Sequence, residues 1–357
     1  MRIQVFEQAR TAHLDRLALL PNTQLFFRHR SFDFDEAQAS KVDATQMSRT
    51  AMIWRLAQST PEVIEVNEPM FLRAWPTIIA AYCGALLASL RSRRRVRIVC
   101  YAIENGDAEA SFARHFRIAH VISRLLFRLA VNGLVSRVDG MAFGTEGAAA
   151  NYSRFVASRH RLSLATFSPL EPACSCDDSI ESHGVLFVGA LEQRKGVAEL
   201  MAAWESVTGD LPGVTLTVVG KGQMEDVITE WIRTQPSARL VVDLERSDLH
   251  HAYRSARVLV LPSLRTPHWR EQVGLPIVEA LAHGCEIVTT DETGLADWLD
   301  RHGHRVVPSE LPVGALSAAI REAWRSARPR SEILSSLPER DGRNLAAEWL
   351  FAKPDNS

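Results

Sequence analysis

The side chains best able to do chemistry in this 357-residue chain are two glutamates, Glu271 and Glu279, on either side of the start of a helix. The stretch Val258 to Thr290, VLVLPSLRTPHWREQVGLPIVEALAHGCEIVTT, reads as strand, loop, helix and strand. Val258 to Leu261 is an apolar run of strand length that closes at Pro262 and Ser263. Pro276 takes the expected first helical position, where its fixed φ suits the turn and its missing N–H costs nothing. The helix is expected over Ile277 to His283 and stops at Gly284, with Cys285 to Thr290 as the next strand. First-turn amides lack intrahelical partners, so such a helix start can hold an anion or a polar ligand, and both carboxylates can face it.

A cation enters from an earlier turn. Val185 to Gly189 reads as a strand and runs into Ala190-Leu191-Glu192-Gln193-Arg194-Lys195-Gly196 and a helix ending near Thr208. By itself Lys195 reads as a solvated residue at a helix start. The strand Thr215 to Val219 meets Gly220-Lys221-Gly222, which fails as a dinucleotide fingerprint because Glu225 stands where the third glycine belongs. Leu240 to Asp243 is a further strand, followed by Leu244-Glu245-Arg246.

Strand-Pro-Ser, then E-x-x-G-L-P-x-x-E-A-L-A-x-G from Glu271 through Val273, Gly274 and Leu275 to Gly284, then a strand, resembles the donor-site motif of the retaining glycosyltransferases of family 4. The resemblance covers most of the C-terminal half and implies the GT-B fold. By it, the turn at Gly189 is similar to the family's G-R-L-x-x-x-K-G, in which Arg and Lys neutralise the donor diphosphate. Gly189, Leu191, Lys195 and Gly196 match, whereas Ala190 stands at the arginine position and Arg194 is the neighbour able to replace it. The resemblance further implies that Gly220 lets backbone pass close to the nucleotide and that Glu245 or its neighbours meet the base. Glu279 would take the ribose hydroxyls, and Glu271 would sit beside the transferred sugar. The Ile277 and Val278 amides would share the diphosphate with Lys195.

Composition sets the frame. The length suffices for two domains, and 46% hydrophobic residues with 41 basic against 42 acidic side chains describe a globular chain with no call for a nucleic-acid partner. Residues 1–170 carry 22 basic and 14 acidic residues and the remainder 19 and 28, so a basic half adjoins an acidic one. Five cysteines (Cys83, Cys100, Cys174, Cys176 and Cys285) make no zinc or redox spacing beyond one C-x-C, and Met1 to Gln4 opens directly as a strand; both suit a reducing cytoplasm. The longest apolar segment, Pro76 to Leu90, is about fifteen residues, too short to span a bilayer.

In the N-terminal half strands and helices alternate, the pattern of a parallel sheet wrapped by helices. Strands are expected at Arg2–Phe6, Gln24–Arg28, Glu62–Val66, Val96–Tyr101, Gly140–Phe143 and Leu162–Thr166, and helices at Ala44–Gln58, Phe71–Leu90, Ala108–Ala130 and Gly147–Val156. The first strand runs on through Glu7 to His13 without the glycine-rich loop that family members often carry. Asp33-Phe34-Asp35 spells a D-x-D, read here as a solvated loop rather than a metal clamp. Glu104 and Asn105 follow a strand end, where open α/β sheets place ligands, and can contact the acceptor or cap a turn. Thr145 reads first as a helix cap. Arg91 to Arg97, then Arg114, Arg117, Arg124 and Arg128 amid Leu, Ile and Phe, fit an anionic membrane surface or a solvated helix face equally well.

The reading that joins these parts is an α/β chain of GT-B type, two Rossmann-like domains with parallel sheets facing across a cleft. Residues 1–167 would bind acceptor, 168–182 link, 183–335 hold the nucleotide-sugar, and 336–357 form a helix crossing back to the first domain. The expected activity is metal-independent transfer of a hexose, with retention, from a UDP-, GDP- or dTDP-sugar to a glycan or lipid-linked acceptor, with no bound cofactor. Its expected location is cytoplasmic or at the inner face of a membrane. Lys195, Arg194 and Glu271 carry the chemistry in this reading. A nucleotide-sugar epimerase of the same fold and a donor-binding protein without catalysis stay open beside it, and the failed fingerprint disfavours a NAD-dependent dehydrogenase.

Overall fold

The computed structural model describes residues 1–352 apart from 32, 117–119, 158–161, 177–182, 243, 245, 267–268, 313 and 327; of 120, 246 and 247 only the backbone is described. The chain forms two compact units, Met1–Ser168 with Gly342–Ser357, and Pro169–Asp341.

The first unit holds seven strands: β1 (Arg2–Ala9), β2 (Thr23–Arg30), β3 (Ala44–Gln46), β4 (Val63–Val66), β5 (Arg97–Ala102), β6 (Gly140–Phe143) and β7 (Ser163–Thr166). They lie side by side in the order β3-β2-β1-β4-β5-β6-β7, all parallel. A parallel sheet buries both faces, and alternate residues of each strand serve opposite layers. Ile64, Cys100, Met141 and Phe143 pack under the helices Arg49–Ser59, Trp75–Ser92 and Glu146–Val156. Val63, Val99 and Ala142 point the other way, onto Ala346, Ala347, Leu350 and Phe351 of the helix Gly342–Phe351. Arg343 of that helix forms a buried ion pair with Glu65, which also accepts from Gln4 Nε2 at 2.8 Å. Arg97 donates to the Ala352 and Leu350 carbonyls at 2.5 and 3.3 Å, so one arginine of the basic cluster closes the helix end instead of facing a partner.

The second unit holds β8 (Gly184–Val188), β9 (Thr215–Val219), β10 (Ala238–Val241), β11 (Ala256–Leu261), β12 (Glu286–Thr290) and β13 (Arg305–Val307), ordered β10-β9-β8-β11-β12-β13 and again parallel. Strands buried on both faces read as continuous apolar runs, which is why Val258 to Leu261 and Val185 to Phe187 stood out in the sequence. In each sheet the strand order reverses once, between β1 and β4 and between β8 and β11. Ligands of open α/β sheets bind beyond the carboxyl ends of strands at such a reversal.

Several local expectations are corrected. The helix expected from Ala44 is preceded by the edge strand β3 and begins at Arg49, with Ser48 Oγ accepting from the Ala51 N–H as its cap. Helix Thr11–Leu19 follows β1 without any glycine, because the Arg10 N–H donates to His13 Nδ1 and closes the first turn. His13 is thereby a capping residue, its pKa pushed down to about 3 by burial and by Arg16, Arg343 and Arg10. Ala108–Ala130 divides into helices Ala108–Phe116 and His120–Val135. The apolar segment is longer than the sequence suggested: Leu72–Ser92 has the length and composition to cross a membrane, with 44% of it buried in the protein. The segment read as a linker packs in its first part, for Leu170 is buried and the Cys174 N–H donates to the Ala282 carbonyl at 2.7 Å.

Candidate functional site

The carboxyl ends of β8 and β11, at the strand reversal of the second unit, bring the predicted residues together. After β8 the chain makes a short turn of 3-10 helix, Gln193–Lys195, and enters the helix Val197–Asp210 through Gly196 at φ +71°. A Cβ on Gly196 would lie 1.9 Å from the Pro262 carbonyl oxygen, so only glycine lets this turn press against the end of β11. The Leu264 N–H donates to the Arg194 carbonyl at 2.9 Å and locks the two loops. Lys195 Nζ is thereby delivered to Glu271 Oε2, with which it forms an ion pair, and Ser263 Oγ donates to the same oxygen at 3.1 Å. Both charged side chains are only 11% exposed.

The aromatic face of Trp269 backs this pair. Its ring centroid lies 4.8 Å from Lys195 Nζ and 4.3 Å from the Arg194 guanidinium carbon, near enough for both cations to feel the ring quadrupole. Arg194 also donates from Nε to Glu192 at 2.6 Å. It shares the Lys195 turn and the Trp269 face.

Glu271 and Val273 lie on a loop braced by the chain that follows β12. Thr293 Oγ1 donates to the Val273 carbonyl at 2.9 Å and the Gly294 N–H to that of Gln272 at 3.1 Å. Gly274, at φ +76°, then starts the helix Leu275–Ala282, so Pro276 sits one place later than the sequence suggested. The shift corrects the expected anion site. The Ile277 and Val278 N–H groups both donate to the Gly274 carbonyl, at 2.8 and 3.3 Å, and are consumed within the first turn. The amides that the helix leaves to other partners are those of Gly274 and Leu275, since Pro276 has none. Glu279, on the same helix, accepts from the Tyr253 hydroxyl at 2.7 Å. The site thus pairs Lys195 with Glu271 and gives Glu279 a separate phenolic partner.

Gly189 and Gly220 meet at the ends of β8 and β9. A Cβ on Gly220 would lie 1.9 Å from the Gly189 carbonyl oxygen, and Gly220 holds φ +149°, so the β9 turn can pass the end of β8 only with glycine there. Glu245 and Asp243 lie outside the described residues.

The acceptor residues proposed from sequence are engaged within the first unit. Glu104 Oε1 accepts from the Gly106 N–H at 2.8 Å and closes its own turn, and Asn105 is buried. The neighbouring Glu68, which sequence reasoning passed over, accepts from the Ile103 and Glu104 amides, both at 3.1 Å. Burial, then the nearby Glu104 carboxylate, push its pKa up to about 8 against the pull of those amides and of Tyr152. Thr145 caps its helix through the Ala148 N–H at 3.1 Å, as expected. In the D-x-D, Asp33 pairs with Arg10 at 2.9 Å and Asp35 caps a short helix through the Gln38 N–H at 3.0 Å. Arg124, Arg128 and Arg154 converge on Glu109, which neutralises part of the basic face.

Sequence reasoning missed Ser263, Trp269 and Tyr253. Ser263 was visible only as the close of a strand, Trp269 as a lone aromatic in a polar loop, and Tyr253 carried no signal, since its partner stands 26 residues away.

Comparison with known proteins agrees with this layout. Residues 182–326 match the family model of glycosyl transferases group 1. Over 162 residues the chain is 32% identical to a glycogen synthase of Mycobacterium tuberculosis, and over 142 residues 30% identical to a phosphatidyl-myo-inositol mannosyltransferase of Mycolicibacterium smegmatis. Those matches span 43% and 39% of this chain and only 38% and 36% of the relatives' lengths. Whole-chain similarity is found in structure: Anabaena Alr3699/HepE in complex with UDP superposes at TM-score 0.66 with 13% identity, covering 98% of this chain and 99% of that one. WaaG, a glycosyltransferase involved in lipopolysaccharide biosynthesis, gives 0.63 with 14% identity over 99% and 100%. The chain therefore has the GT-B fold, and its second unit carries a glycosyl transferases group 1 domain.

Proposed function

We propose that the protein is a retaining glycosyltransferase of family 4 that takes a hexose from a nucleoside-diphosphate sugar held by the second unit. The observation that carries this reading is the Lys195–Glu271–Ser263 cluster at the β8/β11 reversal, within the stretch that matches the glycosyl transferases group 1 model. Structural relatives bound to UDP and UDP-glucose support a donor of that class.

In this reading the ion pair is exchanged when donor binds. The diphosphate takes over Lys195, Arg194 adds a second charge from the same Trp269 face, and the released Glu271 turns to the hydroxyls of the sugar. A dianionic diphosphate is the stronger partner for an ammonium at such a partly desolvated position. Lys195 then stabilises the charge that builds on the departing diphosphate, work that needs no divalent ion at the phosphates. Glu271 favours the positive charge spread over the sugar ring as its bond loosens. Glu279 exchanges the Tyr253 hydroxyl for the ribose hydroxyls.

Isothermal titration with UDP-, GDP- and dTDP-sugars tests the proposal. One class should bind and release free nucleoside diphosphate when acceptor is added, without added Mg²⁺ or Mn²⁺. Binding of none of them, or donor conversion with no acceptor present, would sink it, the latter in favour of an epimerase. The acceptor is proposed to be lipid-linked, supported by exposed Val121, Ile122, Leu125 and Leu129 on the helix His120–Val135. The protein should sediment with anionic vesicles at low salt and release at high salt; failure to sediment removes this part alone.

A further inference from the structure

We infer that Cys174, Cys176 and His283, joined by His250, form a binding site for a thiophilic divalent cation of the zinc class at the C-terminal end of the helix that carries Glu279. The sequence offered only an isolated C-x-C; the fold supplies the histidines. A ligand atom from each of Cys174, Cys176 and His283 lies within 4.8 Å of the others. His250 Nδ1 stands 3.0 Å from His283 Nε2. In a tetrahedral site with ordinary zinc–sulfur and zinc–nitrogen bonds, neighbouring ligand atoms lie roughly 3.3–3.8 Å apart. Rotamer adjustments of about an ångström would therefore bring the two sulfurs and the His283 nitrogen onto one ion, and His250, beside His283, is the side chain that would complete the set.

The surroundings favour ligation over accident. His283 Nδ1 lies 2.6 Å from the Glu279 carbonyl oxygen, so that nitrogen carries the proton and Nε2 presents its lone pair. A ligating histidine usually has its second nitrogen tied to a carbonyl or carboxylate in this way. The Cys174 N–H donates to the Ala282 carbonyl, which fixes the C-x-C against the residue preceding His283. The Tyr253 ring stacks on His283 at 5.4 Å while its hydroxyl reaches Glu279. The ion would thus clip the segment that opens the second unit onto this helix, and through Tyr253 hold the rotamer of Glu279. This role is structural and separate from the sugar-transfer proposal; it stands whichever substrate the protein takes.

The test is titration of the reduced full-length protein with Co²⁺, read by absorption, followed by displacement with Zn²⁺. One equivalent should produce the intense visible bands of tetrahedral cobalt and a thiolate charge-transfer band, and Zn²⁺ should bleach both. Cys174→Ser with Cys176→Ser should abolish the charge-transfer band. His250→Gln should weaken Co²⁺ binding at least tenfold while keeping that band. Zn²⁺ should raise the thermal midpoint of the wild type and not of the double variant. No spectral change with both thiols titratable, bands that persist in the double variant, or a Cys174–Cys176 disulfide that survives reductant would each overturn the inference.

Discussion

The two sheets share one order over six strands, the first adding a seventh at its edge, and each presents charged groups where its strand order reverses, yet the two reversals are filled differently. Beside β1 and β4, Glu7 is bound by Arg49 Nη2 at 2.9 Å and by the Thr77 hydroxyl, and its N–H donates to Asn67 Oδ1 at 2.7 Å. Glu68, next in the chain, is held by two amides from the loop after β5 and by Tyr152. Beside β8 and β11, one lysine, one glutamate and one serine satisfy one another. The first arrangement is a many-membered network drawn from several elements, and opening it would expose several buried polar groups at once. The second is centred on one ion pair, in which, on the proposed reading, a single anion takes the place of Glu271. Fold alone therefore does not mark a binding site; on the proposed reading, the exchangeability of the groups at the reversal does.

The sharpest way to break this comparison is to remove one cation from each reversal. Lys195→Ala should lower turnover of the nucleotide-sugar by about 10²–10³-fold. Arg49→Ala should leave donor affinity unchanged while lowering the thermal midpoint; equal loss of donor binding in both variants would erase the distinction. Gly196→Ala should follow in size, because its Cβ meets the Pro262 carbonyl and the residue must hold a positive φ. A destabilisation of about 2–4 kcal/mol in urea unfolding is expected, with donor binding lost along with the Lys195 turn. Glu271→Gln should tighten binding of the free nucleoside diphosphate by about tenfold, roughly 1.4 kcal/mol, as the competing charge disappears, while transfer slows. Unchanged affinity in calorimetry would show that the ion pair does not compete with phosphate. Glu279→Ala should weaken donor binding with the smaller effect on turnover.

The mildest test is pH. The Glu68 carboxyl sits at about 8 in the folded chain and near 4.5 when exposed. Between those values the unfolded state gives up a proton that the folded state keeps, so this group lowers stability as pH rises and adds no further change above about 8. Unfolding of the first unit followed at pH ~5 and ~8 should show that decline, and Glu68→Gln should flatten it.

What the sequence made legible follows from the range of the signal. Parallel strands, the helix stop at Gly284 and the Thr145 cap depend on neighbours within a few residues, and they lie where the residue types placed them. The three-residue strand β3 was hidden because an edge strand that short has no period of its own. Pro276 was placed one position early because Gly274 already bends the chain, and the error falsely freed the Ile277 and Val278 amides. The Lys195–Glu271 bond spans 76 residues, and His283 and Cys174 are brought together only because β8 and β11, far apart in sequence, are neighbours in the sheet, so no local pattern could announce either contact.

The return of Gly342–Phe351 to the first sheet has a kinetic meaning. Strands β4, β5 and β6 leave Val63, Val99 and Ala142 only partly covered on one side until this helix arrives, and Glu65 gains its Arg343 partner only then. The second unit is continuous in the chain and can complete itself meanwhile. During synthesis the segment made first would thus be the last to close, and it would wait with an uncovered apolar surface while its successor matures.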